Sequence, residues 1–218
     1  MMPRSAGDTT LPTLTTLDEP TRRLVRLSAE LTAGSETAVR EAMAADIGVV
    51  PAVWIEELIL QSYLFAGFPR ALNAMREWRR LSPAVTSPAA EVAAEGADVD
   101  QWRRDGEVTC SAVYGSMYEK LRENIRALHP LLDEWMISEG YGKVLSRPEL
   151  DLPRRELCIV AACAAAGQDR QLQSHLHGAR NVGVAAGVID GAVEAIADVI
   201  GLERATSLRL LWARVRRK

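Results

Sequence analysis

Cysteine and histidine are scarce. The chain of 218 residues has three of each. Cys110, Cys158 and Cys163 are too few for a disulfide framework, which points to a reducing compartment, by default the cytoplasm. Three histidines leave little capacity for zinc, and no metal or organic cofactor is expected. An excess of charge of one sign is also missing. With 26 basic and 29 acidic residues the formal net charge is -3, so there is no electrostatic case for gripping a phosphate backbone, and no nucleic-acid partner is expected. The basic cluster Arg214, Arg216, Arg217 and Lys218 reads as a frayed end. There is no apolar run long enough for a membrane span and no leader pattern near the first residue, so no membrane association is expected. No G-x-G-x-x-G or P-loop occurs, and no window alternates convincingly as a strand.

Helical periodicity is what the sequence does contain. Residues 1–17, rich in threonine with Pro3 and Pro12, read as a disordered tail. Asp18 can cap a helix with Pro20 in its first turn, and Leu24, Leu27 and Leu31 recur at helical spacing until Gly34. Ser35 opens a second helix to about Asp46. Pro51 opens a third, apolar on more than one side, which Gly67 stops. Pro69 starts a fourth, with Leu72, Met75 and Trp78 expected inward. Residues 82–98 read as a linker. A helix resumes near Val99, broken or kinked around Gly106, and another spans about 113–128. Residues 141–153 read as a loop. Helices then follow over 154–166, 169–182, 186–200 and 203–216. The fold class is all-α.

The pattern helix, glycine, helix, glycine, amphipathic helix, glycine occurs around Gly34 and again around Gly167, offset by about 133–135 residues. This predicts two repeats packed on each other, a first over 18–81 and a second over 99–218 carrying the site. The first is degenerate, since Ala42 stands where the second has His175.

His175 and His177 are two apart on one helix and point roughly 200° from each other, so they do not chelate one ion. His175 belongs to a polar stripe with Gln168 and Gln171. Glu156 lies in the first turn of the preceding helix. Two antiparallel helices joined at Gly167 bring Glu156 and His175 to similar heights, where a carboxylate fixes the imidazole's tautomer for acid–base work. Cys158 and Cys163 read as inert core thiols. Tyr63, Phe65 and Phe68 read as core, and Tyr114 and Tyr118 as packing between helices.

The stretch GKVLSRPELDLPRRELCIVAACAAAGQDRQLQSHLHGARNVG resembles the carboxymuconolactone decarboxylase family. The matching positions include Arg147, Pro148, Arg155, Glu156, Gly167, Leu172, His175, Gly178, Asn181 and Gly183. Further matches lie at Gly48, Glu56, Glu57, Tyr63, Gly67, Pro69, Asn73 and Ala74. The resemblance implies an all-helical, alkyl hydroperoxidase D-like bundle, duplicated in this chain, that assembles as a homo-oligomer: a dimer, trimer or hexamer. One chemistry in the family is a thiol peroxidase using a glutamate, two cysteines three apart and a histidine. Those positions map here to Glu156, Gln168, Gln171 and His175. Glutamine has no ionisable nucleophile, which excludes that reaction at this site. The other chemistry is cofactor-free decarboxylation of an unsaturated lactone. It implies His175 as the acid, Glu156 as its orienter and Gln171 and Gln168 as hydrogen-bond donors, acting on a small cyclic organic acid or lactone. The sequence departs from that pattern at Gln171, where a glutamate is usual, and at Val182, where an asparagine is. A non-enzymatic ligand-binding or scaffold role for the same fold is the alternative.

Overall fold

The computed structural model describes residues 13–82 and 99–217. It is all-α. Helix α1 spans Glu19–Ala33, α2 Glu36–Asp46, α3 Ala52–Ala66 and α4 Phe68–Leu81. Helix α5 spans Val99–Tyr114, followed by a 3₁₀ turn Gly115–Met117, α6 Tyr118–Leu128 and α7 Pro130–Trp135. A π-helical segment, Met136–Leu145, comes next. The chain continues with α8 Leu152–Ala166, α9 Asp169–Asn181, α10 Ala186–Ala195, α11 Ala197–Ile200 and α12 Leu202–Arg216. No described helix is long and apolar enough to cross a membrane.

The helix starts follow from capping. Asp18 accepts from Thr21 N–H at 2.8 Å and Asp151 accepts from Arg154 N–H at 2.9 Å, and each helix carries proline in its first turn. Between them α1 and α8 form the central contact of the molecule. Leu24, Leu27 and Leu31 of α1 share one buried core with Leu157, Ile159 and Val160 of α8. Within it Ser28 Oγ–H donates to the Cys158 carbonyl at 2.7 Å. Burying that hydroxyl without a partner would cost about 1–3 kcal/mol, so this bond fixes the register of the two helices.

The helices α1–α4 and α8–α12 use the same local devices, 133 or 134 positions apart. Gly67 (φ 83°, ψ 158°) opens α4 and Gly201 (φ 80°, ψ 161°) opens α12, a conformation strained for any side chain. Trp78 Nε1–H donates to Glu56 Oε1 at 3.2 Å, and Trp212 Nε1–H donates to Asp190 Oδ1 at 2.6 Å. Arg70 Nε–H donates to the Leu31 carbonyl at 2.7 Å, and Arg204 Nε–H to the Ala164 carbonyl at 3.2 Å.

A buried ionic network ties the two sets together. Arg155 is wholly buried and donates to Glu57 Oε2 at 2.7 Å, to the Leu150 carbonyl at 2.9 Å and to Gln61 Oε1 at 3.3 Å. Arg147 Nε lies 3.0 Å from both oxygens of Glu57. Burial pulls the Arg155 guanidinium down, and Glu57 opposes it. With every polar group matched, the cost of burying these charges is offset, and the first turn of α8 is pinned to α3.

Several elements differ from the sequence reading. Helix α5 runs unbroken through Gly106. A Cβ there would lie 2.0 Å from the Ile137 carbonyl oxygen, and one on Gly142 would lie 1.9 Å from that of Trp102. These two glycines are therefore not breakers. They let α5 and the π-helical segment touch backbone to backbone, and the expected loop over 141–153 is helical as far as Leu145. The expected helix over 113–128 is interrupted by the 3₁₀ turn at Gly115 (φ 53°), and that over 186–200 breaks at Ile196. Leu72, expected inward, is 60% exposed, because the inward face of α4 falls on Ala71, Ala74 and Trp78. Of the expected tail, residues 1–12 lie outside the described residues. Leu14 is anchored: its N–H donates to the Gly183 carbonyl at 3.0 Å and its carbonyl accepts from Ala185 N–H at 2.9 Å. The expected linker lies, from residue 83 to residue 98, outside the described residues.

Candidate functional site

Helices α8 and α9 are joined by Gly167 in the left-handed conformation (φ 72°, ψ 25°), where a Cβ would be penalised. Gln168 N–H closes the turn on the Cys163 carbonyl at 2.9 Å. This hairpin places Glu156, in the first turn of α8, against His175 on α9. His175 Nδ1 lies 2.9 Å from Glu156 Oε2. The glutamate side chain is fully buried and that of the histidine 7% exposed, so the pair sits at the floor of the fold with only an edge of the ring reachable. His177 points elsewhere and is less buried.

Glycine makes room for the pair. Gly178 lies one helical turn beyond His175, and a Cβ there would sit 2.6 Å from Glu156 Oε2 and 2.7 Å from Val113 Cγ1. The carboxylate therefore occupies space that any other residue at 178 would fill. Its second oxygen, Oε1, is buried without a hydrogen-bond partner among the described residues. An unpaired buried oxygen of this kind costs free energy and is a poor choice for stability alone. A carboxylate only accepts, so with Glu156 ionised the proton lies on Nδ1, and Nε2 is the ring atom left for chemistry.

Aromatic residues surround the imidazole. Phe65 meets it edge-on with centroids 6.1 Å apart, and Tyr114 does so at 6.4 Å. Tyr114 in turn packs edge-on against Tyr141 of the π-helical segment at 6.2 Å, and the two hydroxyls are hydrogen-bonded to each other. Burial raises the Tyr114 and Tyr141 hydroxyls, Tyr141 far above the usual range, and the nearby Glu156 charge adds to both shifts. Burial likewise pushes the Cys110 and Cys163 thiols up to about 12, again reinforced by Glu156. All four groups are protonated at neutral pH. Cys158 is buried and raised too, so the described thiols are core groups, and Cys110 offers no thiolate for catalysis.

The glutamine stripe falls outside this cluster. Gln168 precedes α9 with φ −89° and ψ 68°, so it does not continue the helical face, and both Gln168 and Gln171 are exposed. Among the described residues neither bonds to Glu156 or His175. Tyr118 is not beside His175 either. Its hydroxyl accepts from Arg122 at 2.8 Å. Phe68, expected in the core, is 60% exposed and stacks on Tyr63. Tyr141 and Gly178 were not singled out chemically from the sequence. Tyr141 falls in the segment whose sequence reads as a loop, and a glycine on a helix gives no sign of what fills its space.

Surface cavities of about 180 to 530 Å³ lie elsewhere, and Glu156 and His175 line none of these. One of 310 Å³ is lined by Arg22, Arg23, Arg26, Leu27, Ala42 and Asp46 among others. There Arg23, 133 positions before Glu156, pairs with Glu19 at 2.7 Å and with Asp46 at 3.4 Å.

Residues 130–214 match the carboxymuconolactone decarboxylase family model. The match runs from α7 to α12 and contains Tyr141, Glu156, His175 and Gly178. The chain is also 31% identical over 130 residues to Peroxisomal protein 2 of Schizosaccharomyces pombe, covering 59% of this chain. The chain spans 60% of that relative's length.

Proposed function

We propose that the chain is a decarboxylase-like lyase that acts on a small cyclic organic acid or lactone by acid–base catalysis, without an organic or metal cofactor. The observation that carries this reading is the buried 2.9 Å contact between Glu156 and His175, built around the space Gly178 leaves. Loss of CO2 from such a substrate leaves an enolate-like anion. His175, held through Nδ1, takes a proton from solvent on Nε2 to become an imidazolium that the Glu156 carboxylate stabilises, then gives that Nε2 proton to carbon and returns to the neutral Nδ1–H ring. In this reading Gln171 and Gln168 act at the rim, where their exposure allows them to meet a substrate only on entry. The helices α1–α4 and α8–α12 are copies of one unit, and the first has exchanged the Glu/His pair for the Arg23–Asp46 contact. Assembly as a homo-oligomer closes the site over the exposed edge of His175. A reducing compartment suits the three free thiols; the cytoplasm is the default, and the name of the yeast relative makes the peroxisome the compartment to compare.

One observation favours a second reading, a non-enzymatic binding or scaffold protein. The cavities described above open away from His175. A screen of unsaturated lactone and cyclic keto-acid carboxylates, read by CO2 release, separates the two. The lyase reading expects turnover that falls at least a hundredfold in His175→Ala and in Glu156→Gln, with the fold retained. Absence of turnover across the series, or turnover unaffected by His175→Ala, favours the binding protein.

A further inference from the structure

The end of α5 is held against α9 through Val113. Asn181 Nδ2–H donates to the Val113 carbonyl at 2.8 Å, and Val113 packs on Gly178. Gly115, at φ 53°, then turns the chain away, so Tyr114 is the last residue of α5 and stands at the edge of the Glu156/His175 pair. Tyr114 is half-buried, whereas Tyr141 behind it is 4% exposed. The two hydroxyls are hydrogen-bonded to each other, and the Tyr114 ring lies edge-on to the imidazole with centroids 6.4 Å apart. The Tyr141 hydroxyl gets its position from the π-helical segment, which Gly106 and Gly142 bring into backbone contact with α5. A phenolic donor in a low-dielectric setting, oriented by a second hydroxyl and set beside an imidazole, is the equipment an oxyanion requires.

We infer that Tyr114 is a hydrogen-bond donor to a substrate oxyanion, the enolate oxygen formed beside His175, and that Tyr141 is the positioning residue that orients it. This rests on the acid–base reading of the Glu156/His175 pair and names the chemistry its ligand must present: a planar, delocalised oxygen anion. No bond to carbon is made or broken by Tyr114. It donates one hydrogen bond and keeps its proton, while the proton that reaches carbon comes from His175.

The test uses para-nitrophenolate as the oxyanion probe on the full chain, followed by its visible absorption band, which moves when a strong donor bonds the phenolate oxygen. Wild-type protein is expected to bind the probe with a shifted band. Tyr114→Phe removes one hydroxyl and keeps the ring. It is expected to weaken binding roughly tenfold to a hundredfold, the scale of a lost hydrogen bond to a charged group, and to abolish the band shift. Tyr141→Phe is expected to leave a partial shift, which a loss of packing alone would not produce. No binding of the probe by wild-type protein, or binding and band unchanged in Tyr114→Phe, overturns the inference. If those negative results accompany turnover lost in His175→Ala, the inference falls and the lyase reading stands. If Tyr114→Phe loses the shift but His175→Ala retains turnover, the donor stands and the acid–base assignment falls.

Discussion

Replacing Gly178 by alanine puts one methyl group into the site, and the structure gives the consequence. The new Cβ would lie 2.6 Å from Glu156 Oε2 and 2.7 Å from Val113 Cγ1, so the neighbours must retreat by roughly 0.8 and 0.7 Å to reach ordinary contact near 3.4 Å. Neither has an easy route. Val113 is wholly buried, and Glu156 is wholly buried with one oxygen committed to His175. Overpacking of this kind costs about 1–3 kcal/mol, and loss of a hydrogen bond to a buried charged group about 1.5–3 kcal/mol. Alanine returns about 1 kcal/mol as the better helix former. Gly178→Ala is thus expected to destabilise the fold by about 1.5–5 kcal/mol, read as a lower urea midpoint at constant slope. Gly187 is the internal control. A Cβ there meets nothing within 4 Å, so Gly187→Ala is expected to range from neutral to about 1 kcal/mol stabilising. A Gly178→Ala protein as stable as wild type would refute the claim that the carboxylate fills the glycine's space.

Three further outcomes follow from particular contacts. Gly106→Ala, whose Cβ would meet the Ile137 carbonyl oxygen at 2.0 Å, should cost more than about 3 kcal/mol or prevent folding, because backbone must move; normal expression and an unchanged melting temperature would contradict it. Arg155→Met leaves Glu57 buried with Arg147 alone and should cost about 3–5 kcal/mol in chemical denaturation, whereas a neutral result would show the network dispensable. Cys110 and Cys163 ionise in the fold near 12 rather than at the ordinary value of 9.0, so the fold holds the neutral thiol. Their contribution is complete below about pH 9 and is lost as pH rises through 12, since the unfolded chain ionises first. Stability should therefore fall on the alkaline side, with an aromatic disulfide reagent leaving the native thiols unmodified at pH 8; rapid labelling of Cys110 in native protein would contradict this.

The readable parts of the chain were those where one residue does one local job. Asp18 and Asp151 cap, Gly34 and Gly167 end helices, and the heights of Glu156 and His175 follow from helix rise alone. Their meeting needs only a tight antiparallel turn, which Gly167 gives. Other features were illegible because the same residue type serves two ends. Gly106 and Gly142 look like breakers but permit backbone contact between α5 and the π-helical segment. Tyr141 comes into place only because that segment has π geometry, which no 3.6-residue periodicity signals. The glutamine stripe was drawn on a helical face that Gln168 does not share. Phe68 and Leu72 carry core-type side chains at exposed positions, and no pattern within one chain distinguishes those from buried ones.

The most direct test of the central claim is the tautomer of His175, measured by ¹⁵N NMR of the imidazole nitrogens at neutral pH, with Glu156→Gln for comparison. In the neutral ring Nδ1 is expected to carry the proton and Nε2 to be unprotonated, with that preference lost when Glu156 is replaced. A neutral ring protonated at Nε2 in the wild-type protein would contradict it, because Nδ1 would then carry no proton to donate to the Glu156 carboxylate that is said to hold the ring.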